Sequence, residues 1–439
     1  MSQTGVSTCP RIVVVGGGAG GLELATRLGR KLGKKKHARI TLVDSNMTHI
    51  WKPLLHEVAA GSLNATEEEL NYVAQGKWNH FDFQLGCLTG IDREQRQIRL
   101  APINDDNNEP LIPARELAYD YLVIAVGSNT NDFNTLGAAD HCIFLDTRLQ
   151  AERFHTRLIN QYLKAQVRGE LATSEAINVA IIGAGATGVE LAAELHHAAL
   201  MLRSYGLDRV NPEDLNINLV EAGPRILPAL PERLAKPAAE TLDGLGVITH
   251  TGSPVKEVHA DGLLLGNGEF IPASLKVWAA GIRAPGFLAD LGLETNRINQ
   301  LVVHKNLQTT KDERIFAFGD CAACPMDEPG KFVPPRAQAA HQQASLLTKN
   351  LVALLNGKPM QDYHYRDYGS LISLSSFSAV GNLMGNLTGS IMLEGWLARM
   401  FYISLYRMHQ MVLYGIPKTL MLMLGDLVGR STEPRLKLH

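Results

Sequence analysis

The sequence predicts an α/β fold with two Rossmann-like domains, followed by a C-terminal region of different character. Two glycine-rich turns carry this prediction, Gly-Gly-Gly-Ala-Gly-Gly at 16–21 and Gly-Ala-Gly-Ala-Thr-Gly at 183–188. Each turn follows an apolar strand and opens a predicted helix, from Leu22 and from Val189. Both fit the G-x-G-x-x-G pattern, in which glycines permit a tight turn and let backbone N–H groups approach a pyrophosphate.

A second apolar strand follows each predicted helix and ends in an acid, Asp44 after 40–43 and Glu221 after 217–220. Such a carboxylate accepts hydrogen bonds from ribose hydroxyls. One glycine motif alone can be a purely structural turn, but two copies with the same flanking order predict two dinucleotide sites. A carboxylate at Glu221 disfavours the extra phosphate of NADP, so we expect NADH in spite of Arg225 four residues later.

Three further apolar strands end in residues that suit cofactor sites. The strands at 121–127 and 276–281 end in glycine, and the strand at 314–320 ends in Asp320. Asp320 suits the ribityl or phosphate hydroxyls of a flavin, or it serves as a helix N-cap, and the two interpretations are compatible. Two dinucleotides on one chain indicate an electron relay in which a nicotinamide brings a hydride and a flavin receives it. This places the chain in the two-dinucleotide-binding flavoprotein class.

Composition agrees with this class. With 439 residues, of which 45% are hydrophobic and 20% charged, the chain suits two or three globular domains. The formal net charge of −2 gives no indication of a nucleic-acid partner. Five cysteines without the spacing of a secreted framework indicate a reducing compartment. The N-terminus lacks the features of a signal peptide, so we expect the protein to start in the cytoplasm.

Three short motifs narrow the class. They are Trp-Ala-Ala-Gly at 278–281, Phe-Gly-Asp at 318–320 and Ala-Gln-Ala-Ala-His-Gln at 337–342. Together with the paired glycine turns, they resemble the type II NADH:quinone oxidoreductases, which are single-subunit respiratory dehydrogenases of the bacterial inner membrane that do not pump protons. The resemblance covers nearly the whole chain from Arg11, and the pattern at 337–342 is its most specific part.

The resemblance implies a flavoenzyme that passes two electrons from NADH through FAD to a membrane quinone, ubiquinone or menaquinone. It also implies a homodimer that lies peripherally on the cytoplasmic face of the bacterial inner membrane. On this basis we predict an FAD-binding domain in two parts, at 8–144 and 282–365, and an NADH-binding domain at 145–281. C-terminal strands and amphipathic membrane-anchoring helices are predicted at 366–439.

The predicted cofactor ligands follow from the glycine turns, the strand ends and the resemblance. For FAD they are Gly16, Gly17, Gly18, Gly20, Gly21, Asp44, Lys52, Gly127, Asp320, Ala337 and Gln338. For NADH they are Gly183, Gly185, Thr187, Gly188, Glu190, Glu221, Ala280 and Gly281. By the resemblance, Lys52 falls near the flavin ring, where a lysine would stabilise a reduced, anionic flavin. No metal site is predicted.

Gln338 and Gln342 are predicted to act in quinone reduction. They are spaced i, i+4 and therefore share one face of the predicted helix. An amide suits a quinone carbonyl because it donates a hydrogen bond without adding charge to an apolar channel. Spacing alone favours an alanine-rich helix with surface glutamines, whereas the resemblance favours the quinone site. His341 points elsewhere on the helix, and we assign it no proton.

Glu190 lies two residues after the second glycine turn. By the resemblance it lies near the nicotinamide and the flavin, where a buried carboxylate with a raised pKa would hold a proton for quinone reduction. Alternatively, it is a helix N-terminal acid that complements the helix dipole. The chemical role stays open between these two, and we expect proximity to the cofactors.

Cys321 and Cys324 form a C-x-x-C motif, which suggests a redox dithiol or a soft-metal site. Disulfide reductases of the wider class carry their dithiol elsewhere, and one pair supplies only two of the four ligands of a structural zinc. We therefore expect inert cysteines. The alternative function is a soluble flavin-dependent disulfide or metal reductase that uses this pair. A non-catalytic NADH sensor that docks on membranes is a second alternative.

The C-terminal part differs from the rest. Residues 370–393 carry no charge and alternate apolar with small polar residues, which predicts short antiparallel strands. Beyond Gly395 the pattern is helical and basic residues outnumber acids, while Pro417 and the charges interrupt any candidate span. Such helices lie in an anionic membrane surface, or they pack on the core or at a dimer interface, and a lipid-soluble acceptor favours the membrane. The predicted apolar stripe consists of Leu397, Met400, Phe401, Leu405, Met408 and Val412, with Arg399, Arg407 and Gln410 off it.

Overall fold

Two parallel sheets organise the molecule, and the chain leaves the first sheet to build the second and then returns. The computed structural model describes residues 9–105, 107–168, 177–205, 214–374, 378–385, 389–394, 406–429 and 436. In both sheets, the strand that leads into a glycine turn lies between two parallel neighbours. The predicted α/β fold with two Rossmann-like units is confirmed.

The first sheet has six strands around Arg11–Val15, whose last four residues are buried. A central parallel strand is covered on both faces, which explains its unbroken Ile-Val-Val-Val sequence. Asp312–Ala317 pairs in parallel with Tyr121–Ile124, so the late part of the chain completes the sheet begun by the early part. The strand order is Gln308–Thr309, Asp312–Ala317, Tyr121–Ile124, Arg11–Val15, Arg39–Asp44 and Asp82–Leu85.

The second sheet has five strands and repeats this arrangement around its own glycine turn. Its order is Ile143–Phe144, Leu275–Trp278, Ile177–Ile182, Leu215–Val220 and Ile248–His250. The strand Ile143–Phe144 pairs with Leu275–Trp278, although it precedes the predicted boundary at residue 145 by two residues. The domain bounds given above stay a prediction.

Helices cover the sheets and bring the two halves of the first unit together. The helix that follows the first glycine turn packs against the helix formed by the 337–342 motif. In chain order the helices are α1 (Ala19–Leu28), α2 (Leu55–Ala60), α3 (Ala65–Glu68), α4 (Tyr72–Asn79), α5 (Ala138–His141), α6 (Arg148–Arg168), α7 (Ala186–Ser204), α8 (Glu232–Gly244), α9 (Ala337–Leu355), α10 (406–414) and α11 (Ile416–Gly429). A π-helical segment covers Gly29–Gly33, and short 3-10 turns cover Lys52–Leu54, Gly286–Leu291 and Gly319–Cys321.

The remaining strands form small antiparallel or two-stranded additions. One three-stranded sheet is Arg115–Ala118, Gln97–Leu100 and Leu88–Asp92, and another is Val255–Val258, Gly262–Leu265 and Phe270–Pro272. Two-stranded pairs join Asn129–Thr130 with Ile282–Arg283, Leu301–Val302 with Ala322–Ala323, Thr48–His49 with Leu70–Asn71, and Ile103–Asn104 with Pro110–Ile112. The last pair is the polar hairpin around residues 105–108.

The C-terminal part begins with the antiparallel strands that the sequence predicts. Gly369–Leu374, Ser378–Gly385 and Gly389–Glu394 pair in that order. Among the described residues, none of the helices combines the length and the apolar character that crossing a bilayer requires. Of the predicted apolar stripe, only Met408 and Val412 lie within the described residues.

The described part of α10 shows which way Met408 and the two described residues off the stripe face. Met408 is exposed, whereas Arg407 and Gln410 are buried, and Arg407 donates to Gln410 Oε1 at 2.6 Å. These two polar side chains of α10 therefore lie against the protein and Met408 faces outward, while Leu413 at the end of the helix is buried. The polar side chains face inward because the surface beneath α10 contains the buried carboxylate of Glu23. Helix α10 contacts this carboxylate through His409.

Candidate functional site

One cavity of about 2820 Å³ runs between the two glycine turns and is bordered by α9 and α10. This is well above the size of a typical small-ligand pocket, roughly 300–1,000 Å³. All the predicted FAD ligands border it except Gly17. Of the predicted NADH ligands, Gly185, Thr187, Glu190 and Gly281 border it. Gly183, Gly188, Glu221 and Ala280 do not border it.

The first and third glycines of each motif are fixed by close backbone packing. Gly16 and Gly183 have φ of +101° and +100°, which side chains rarely adopt. A Cβ on Gly21 would collide with the carbonyl oxygen of Gly16, and one on Gly188 with that of Gly183. The two turns are therefore built in the same way, as the dinucleotide-binding pattern requires.

The middle glycine of each motif faces open space. A Cβ placed on Gly18 or on Gly185 meets nothing within 4 Å. Helix α1 begins directly after Gly18 and α7 directly after Gly185, three residues earlier than predicted, because the motif itself forms the first turn. Neither N-terminus has a side-chain cap among the described residues, so backbone N–H groups are left for a phosphate.

Gly17 and Gly20 are packing positions. A Cβ on Gly17 would strike the phenol of Tyr72, which donates to the Gly17 carbonyl at 2.8 Å. A Cβ on Gly20 would strike the ring of Phe318 and approach Ala340 Cβ at 3.2 Å. These glycines therefore let α1 come close to its neighbours, α9 included.

The two strand-end acids hold their glycine turns. Asp44 Oδ2 accepts from the backbone N of Gly17 at 2.6 Å. Glu221 Oε2 accepts from the backbone N of Ala184 at 2.9 Å, and its Oε1 accepts from Gly223 N at 2.7 Å. Each carboxylate thus ties the turn to the neighbouring strand at the place where the pattern puts a ribose.

Arg225 does not act as a phosphate ligand in this arrangement. Its guanidinium donates to four backbone carbonyls, those of Ile226, Leu227, Pro228 and Leu230. The distances run from 2.6 to 3.3 Å. With that guanidinium engaged in its own loop, the preference for NADH over NADPH gains support.

Asp320, Ser128 and Lys52 form a polar group on one side of the cavity. Ser128 Oγ donates to Asp320 Oδ2 at 2.9 Å. Burial raises the pKa of Asp320, while the Ser128 hydrogen bond and the nearby Lys52 charge act against the rise. Lys52 Nζ donates to the Ser128 carbonyl and to Asp146 Oδ1, both at 2.9 Å. The lysine is therefore paired with a carboxylate in this structure.

Glu190 lies in a buried acid–imidazole cluster. It is 6% exposed, and its Oε2 lies 3.7 Å from Nδ1 of His56, which is 3% exposed. Glu194, one turn further along α7, is also buried. Burial lowers the pKa of His56 to about 4, against the raising effect of the Glu194 carboxylate. Sequence reasoning missed His56 and Glu194, although the i, i+4 spacing of the two glutamates was a usable signal.

The amides of Gln338 and Gln342 hold the segment 363–368 against α9. Gln342 Nε2 donates to the Arg366 carbonyl at 2.8 Å, and its Oε1 accepts from Arg366 N at 3.2 Å. Gln338 Nε2 donates to Asp367 Oδ1 at 3.3 Å, and its Oε1 accepts from Tyr368 N at 3.1 Å. Both side chains border the cavity, but in this structure their amides bind protein groups.

A second buried cluster joins α1, α9 and α10. The Glu23 carboxylate is 1% exposed, with His341 Nδ1 at 2.8 Å from Oε2 and His409 Nδ1 at 2.8 Å from Oε1. Burial by itself raises the pKa of Glu23. The two imidazoles together have the larger, opposite effect and lower the pKa to about 2. His341 therefore faces Glu23 and borders the cavity, whereas the amides of Gln338 and Gln342 bind the 366–368 segment. The lone acid in the apolar run of α1 was the available signal.

Cys321 and Cys324 are buried beside the sheet and do not border the cavity. Burial raises the pKa of both thiols to about 12, so neither is a thiolate at neutral pH. In the part of the chain that the structure describes, no three His, Cys, Asp or Glu side chains come together as a metal site. The dithiol and metal interpretations find no support in this geometry.

Replacing both cysteines, Cys321→Ala/Cys324→Ala, should leave turnover of NADH with quinone within about twofold of wild type. The reason is that buried, protonated thiols outside the cavity cannot take part in electron transfer. Steady-state kinetics on protein of equal flavin content measures this. A loss of about 10²-fold or more in kcat would restore the dithiol alternative.

Known proteins resemble this chain over most of its length. The family model for pyridine nucleotide-disulphide oxidoreductases matches residues 10–344. A type II NADH:quinone oxidoreductase of Haemophilus influenzae is 47% identical over 442 residues, which cover 98% of this chain and 99% of that protein. A type II NADH:quinone oxidoreductase of Staphylococcus aureus is 28% identical over 381 residues, 85% of this chain and 90% of that one.

Solved structures share the fold at low identity. NDH2 from Plasmodium falciparum in complex with NADH superposes with a TM-score of 0.81 at 18% identity, covering 98% of this chain and 100% of that one. The sulfide:quinone oxidoreductase from Aquifex aeolicus superposes with a TM-score of 0.73 at 19% identity, covering 92% of each chain.

Proposed function

This chain belongs to the type II NADH:quinone oxidoreductases, within the pyridine nucleotide-disulphide oxidoreductase family, and on that premise we propose how its residues share the reaction. The enzyme transfers electrons from NADH through FAD to a quinone. One observation carries the assignment of residues: both glycine turns, α9 and α10 border the same cavity. The two proposed cofactor sites and the proposed acceptor site would thus share one cavity.

FAD is assigned to the first turn. Gly18 and the uncapped N-terminus of α1 would receive its pyrophosphate, and Asp44 its ribose. Asp320, fixed by Ser128, would meet the ribityl or phosphate hydroxyls. When bound, FAD supplies the redox chemistry, taking a hydride from NADH and passing two electrons to the quinone. Lys52 and Ala337 border the same part of the cavity and would contact the ring.

NADH is assigned to the second turn. Gly185 and the N-terminus of α7 would receive the pyrophosphate, with Thr187 beside it. Glu221 would accept from the ribose hydroxyls and disfavour a phosphate there. Gly281 borders the cavity at the end of the neighbouring strand segment, and Ala280 packs on Gly183 behind it.

Glu190 and His56 are assigned a role in holding a proton beside the cofactors. Both are buried and 3.7 Å apart, and Glu190 borders the cavity one turn from the phosphate end of α7. Burial keeps His56 neutral near neutral pH, since its pKa is lowered to about 4. A neutral imidazole beside a buried carboxylate lets one proton be shared between them.

The quinone is assigned to the space between the start of α9 and α10. Gln338 and Gln342 border this space and hold residues 363–368 as its wall. A direct bond from the Gln338 amide to a quinone carbonyl requires giving up its bond to Asp367. We therefore assign Gln342 to shaping the site and keep Gln338 as the candidate contact.

Membrane association is proposed through α11 and its surroundings. The apolar side chains of α11 protrude from the protein, and Met421 is 72% exposed. Trp78 is also exposed, with the Lys418 ammonium 5.3 Å from its ring centroid. The exposed apolar residues of α11 are Ile416, Leu420, Met421, Leu422, Met423 and Leu424. Such a surface fits the interface of a bilayer, from which a lipid-soluble quinone arrives.

A basic loop lies next to this apolar surface. Arg30 donates to the carbonyls of Val412 and Leu413, at 2.7 and 2.6 Å, and so ties the loop to the end of α10. The exposed lysines after it are Lys31, Lys34, Lys35 and Lys36. Each charge near an anionic membrane surface contributes about 1 kcal/mol of attraction. The cytoplasmic face and the homodimer stay predictions from the resemblance.

Charging the apolar surface of α11 tests this proposal. The double substitution Met421→Asp/Leu424→Asp should weaken sedimentation with anionic liposomes by about 10²-fold, because each buried Leu or Met side chain contributes about 1.5–3 kcal/mol. Leu111→Asp, at an equally exposed site on the polar hairpin, is the matched control and should bind like wild type. Unchanged binding of the double variant would contradict membrane docking through α11.

A further inference from the structure

The cluster of Glu23, His341 and His409 contains a buried charge that the assignments above leave without a role. Glu23 and His409 are each 1% exposed, whereas the side chain of His341 is 26% exposed and borders the cavity beside Gln338. A buried carboxylate is costly unless it is paired. This one is paired with imidazoles from two helices that are proposed to border the quinone, so the acceptor site has a charged group built into it.

We propose that His341 donates to the quinone the proton that the reaction takes from the medium, with Glu23 and His409 as the residues that position it. This rests on the proposed function and identifies the proton donor for the quinone half of the reaction. Overall, NADH, one proton and quinone give NAD⁺ and quinol. The N–H bond at His341 breaks and an O–H bond forms on the quinone oxygen. The imidazole keeps the bonding electron pair and regains a proton from solvent in the cavity.

The geometry selects His341 as the group that reaches the substrate. Its Nδ1 faces Glu23 at 2.8 Å, which leaves Nε2, the other ring nitrogen, for a ligand in the cavity. A carboxylate on one imidazole nitrogen fixes the orientation of the ring, the arrangement by which histidine serves as a proton donor in other enzymes. His409 faces the other carboxylate oxygen and also borders the cavity, but only 1% of its side chain is exposed, against 26% for His341.

The other groups around the carboxylate are consistent with this role. Arg27, on α1, lies 3.5 Å from Glu23 Oε2 and stays charged when a histidine loses its proton. Glu23 therefore keeps a counter-ion throughout. His49, whose ring centroid is 5.2 Å from that of His409, is a poor donor because burial and the neighbouring His409 lower its pKa to about 3. Trp51 packs against His409 with the two rings tilted, at 4.5 Å between centroids.

The test compares His341→Gln, which keeps a polar amide but cannot give up a proton, with the matched control His259→Gln. His259 lies outside the cavity and pairs with Glu257 at the surface, and its side chain is 46% exposed. The holoenzymes are assayed with NADH and a soluble quinone across pH, and with ferricyanide, which takes electrons without protons. We expect His341→Gln to lower the quinone kcat by roughly 10²-fold and to remove its pH dependence. The ferricyanide rate should stay within about twofold, and the control should match wild type.

Glu23→Gln supplies a readout that a purely structural role would not change. The amide keeps the size of the side chain but removes the charge that positions His341. The quinone kcat should therefore fall by about 10-fold, while the KM for quinone and the ferricyanide rate stay within about twofold of wild type. A structural defect would lower the ferricyanide rate and the flavin content as well.

Two results would overturn the proposal. One is a wild-type pH profile for quinone reduction in His341→Gln. The other is a parallel loss of the ferricyanide rate, which would place the cluster in the NADH half of the reaction. Failure of the proposed function looks different, since wild-type enzyme would then reduce ferricyanide but no quinone at any pH.

Discussion

Gly18→Val is expected to give a folded protein that purifies without FAD. This protein should be unable to oxidise NADH, whichever acceptor is supplied. The backbone of Gly18, at φ −59° and ψ −177°, suits any residue, and an added Cβ meets nothing within 4 Å. The valine therefore enters the cavity without disturbing the turn. It occupies the space that a pyrophosphate needs to reach the N-terminus of α1.

The loss should be large because FAD has no other phosphate site in this assignment. We expect FAD affinity to fall by about 10³-fold or more, which corresponds to about 4 kcal/mol. Flavin absorbance per protein and circular dichroism measure cofactor content and fold separately. Gly21→Val is the contrasting variant, because its side chain would collide with the Gly16 carbonyl and unfold the turn. A yellow, fully active Gly18→Val protein would contradict the placement of FAD.

Gly185→Val is expected to leave the protein folded and yellow but to raise the KM for NADH by about 10²-fold. Like Gly18, Gly185 has backbone angles that suit any residue, with φ −73° and ψ −171°. An added Cβ on Gly185 also meets nothing within 4 Å. The valine blocks the approach of the NADH pyrophosphate to α7 while the first turn is untouched.

The kinetic pattern identifies the site. Quinone and ferricyanide rates should fall together at a given NADH concentration, because both depend on the same donor. Gly188→Val, whose side chain meets the Gly183 carbonyl, should instead lower the thermal stability. An unchanged KM for NADH in Gly185→Val would place the nucleotide elsewhere.

The parts of the fold that the sequence predicts well are those with strong local signals. An unbroken apolar run ahead of Gly16 or Gly183 can only be a buried parallel strand, and the glycines fix the turn that follows. The strand-end acids Asp44 and Glu221 lie where expected, although in this structure they bind turn N–H groups. The antiparallel strands after residue 369 follow from alternation, which is equally local.

Contacts between distant segments could not be predicted in this way. His409 meets Glu23 across 386 residues of chain, and no periodicity links the two. The inward position of Arg407 and Gln410 on α10 could not be predicted for the same reason, since the position of the buried polar groups beneath them was unknown. Gln338 lies on the expected face of its helix. Its hydrogen bonds to the Asp367 side chain and the Tyr368 backbone depend on a loop whose path the sequence does not specify.

The central claim is that one cavity holds FAD between a soluble donor and a lipid-soluble acceptor. Anaerobic titration of the purified enzyme, followed by its flavin absorbance, tests this most directly. The account predicts that NADH bleaches the absorbance in stoichiometric amount and that a quinone then restores it. An enzyme that is colourless even after incubation with FAD, or one whose bleached absorbance no quinone restores, would contradict it.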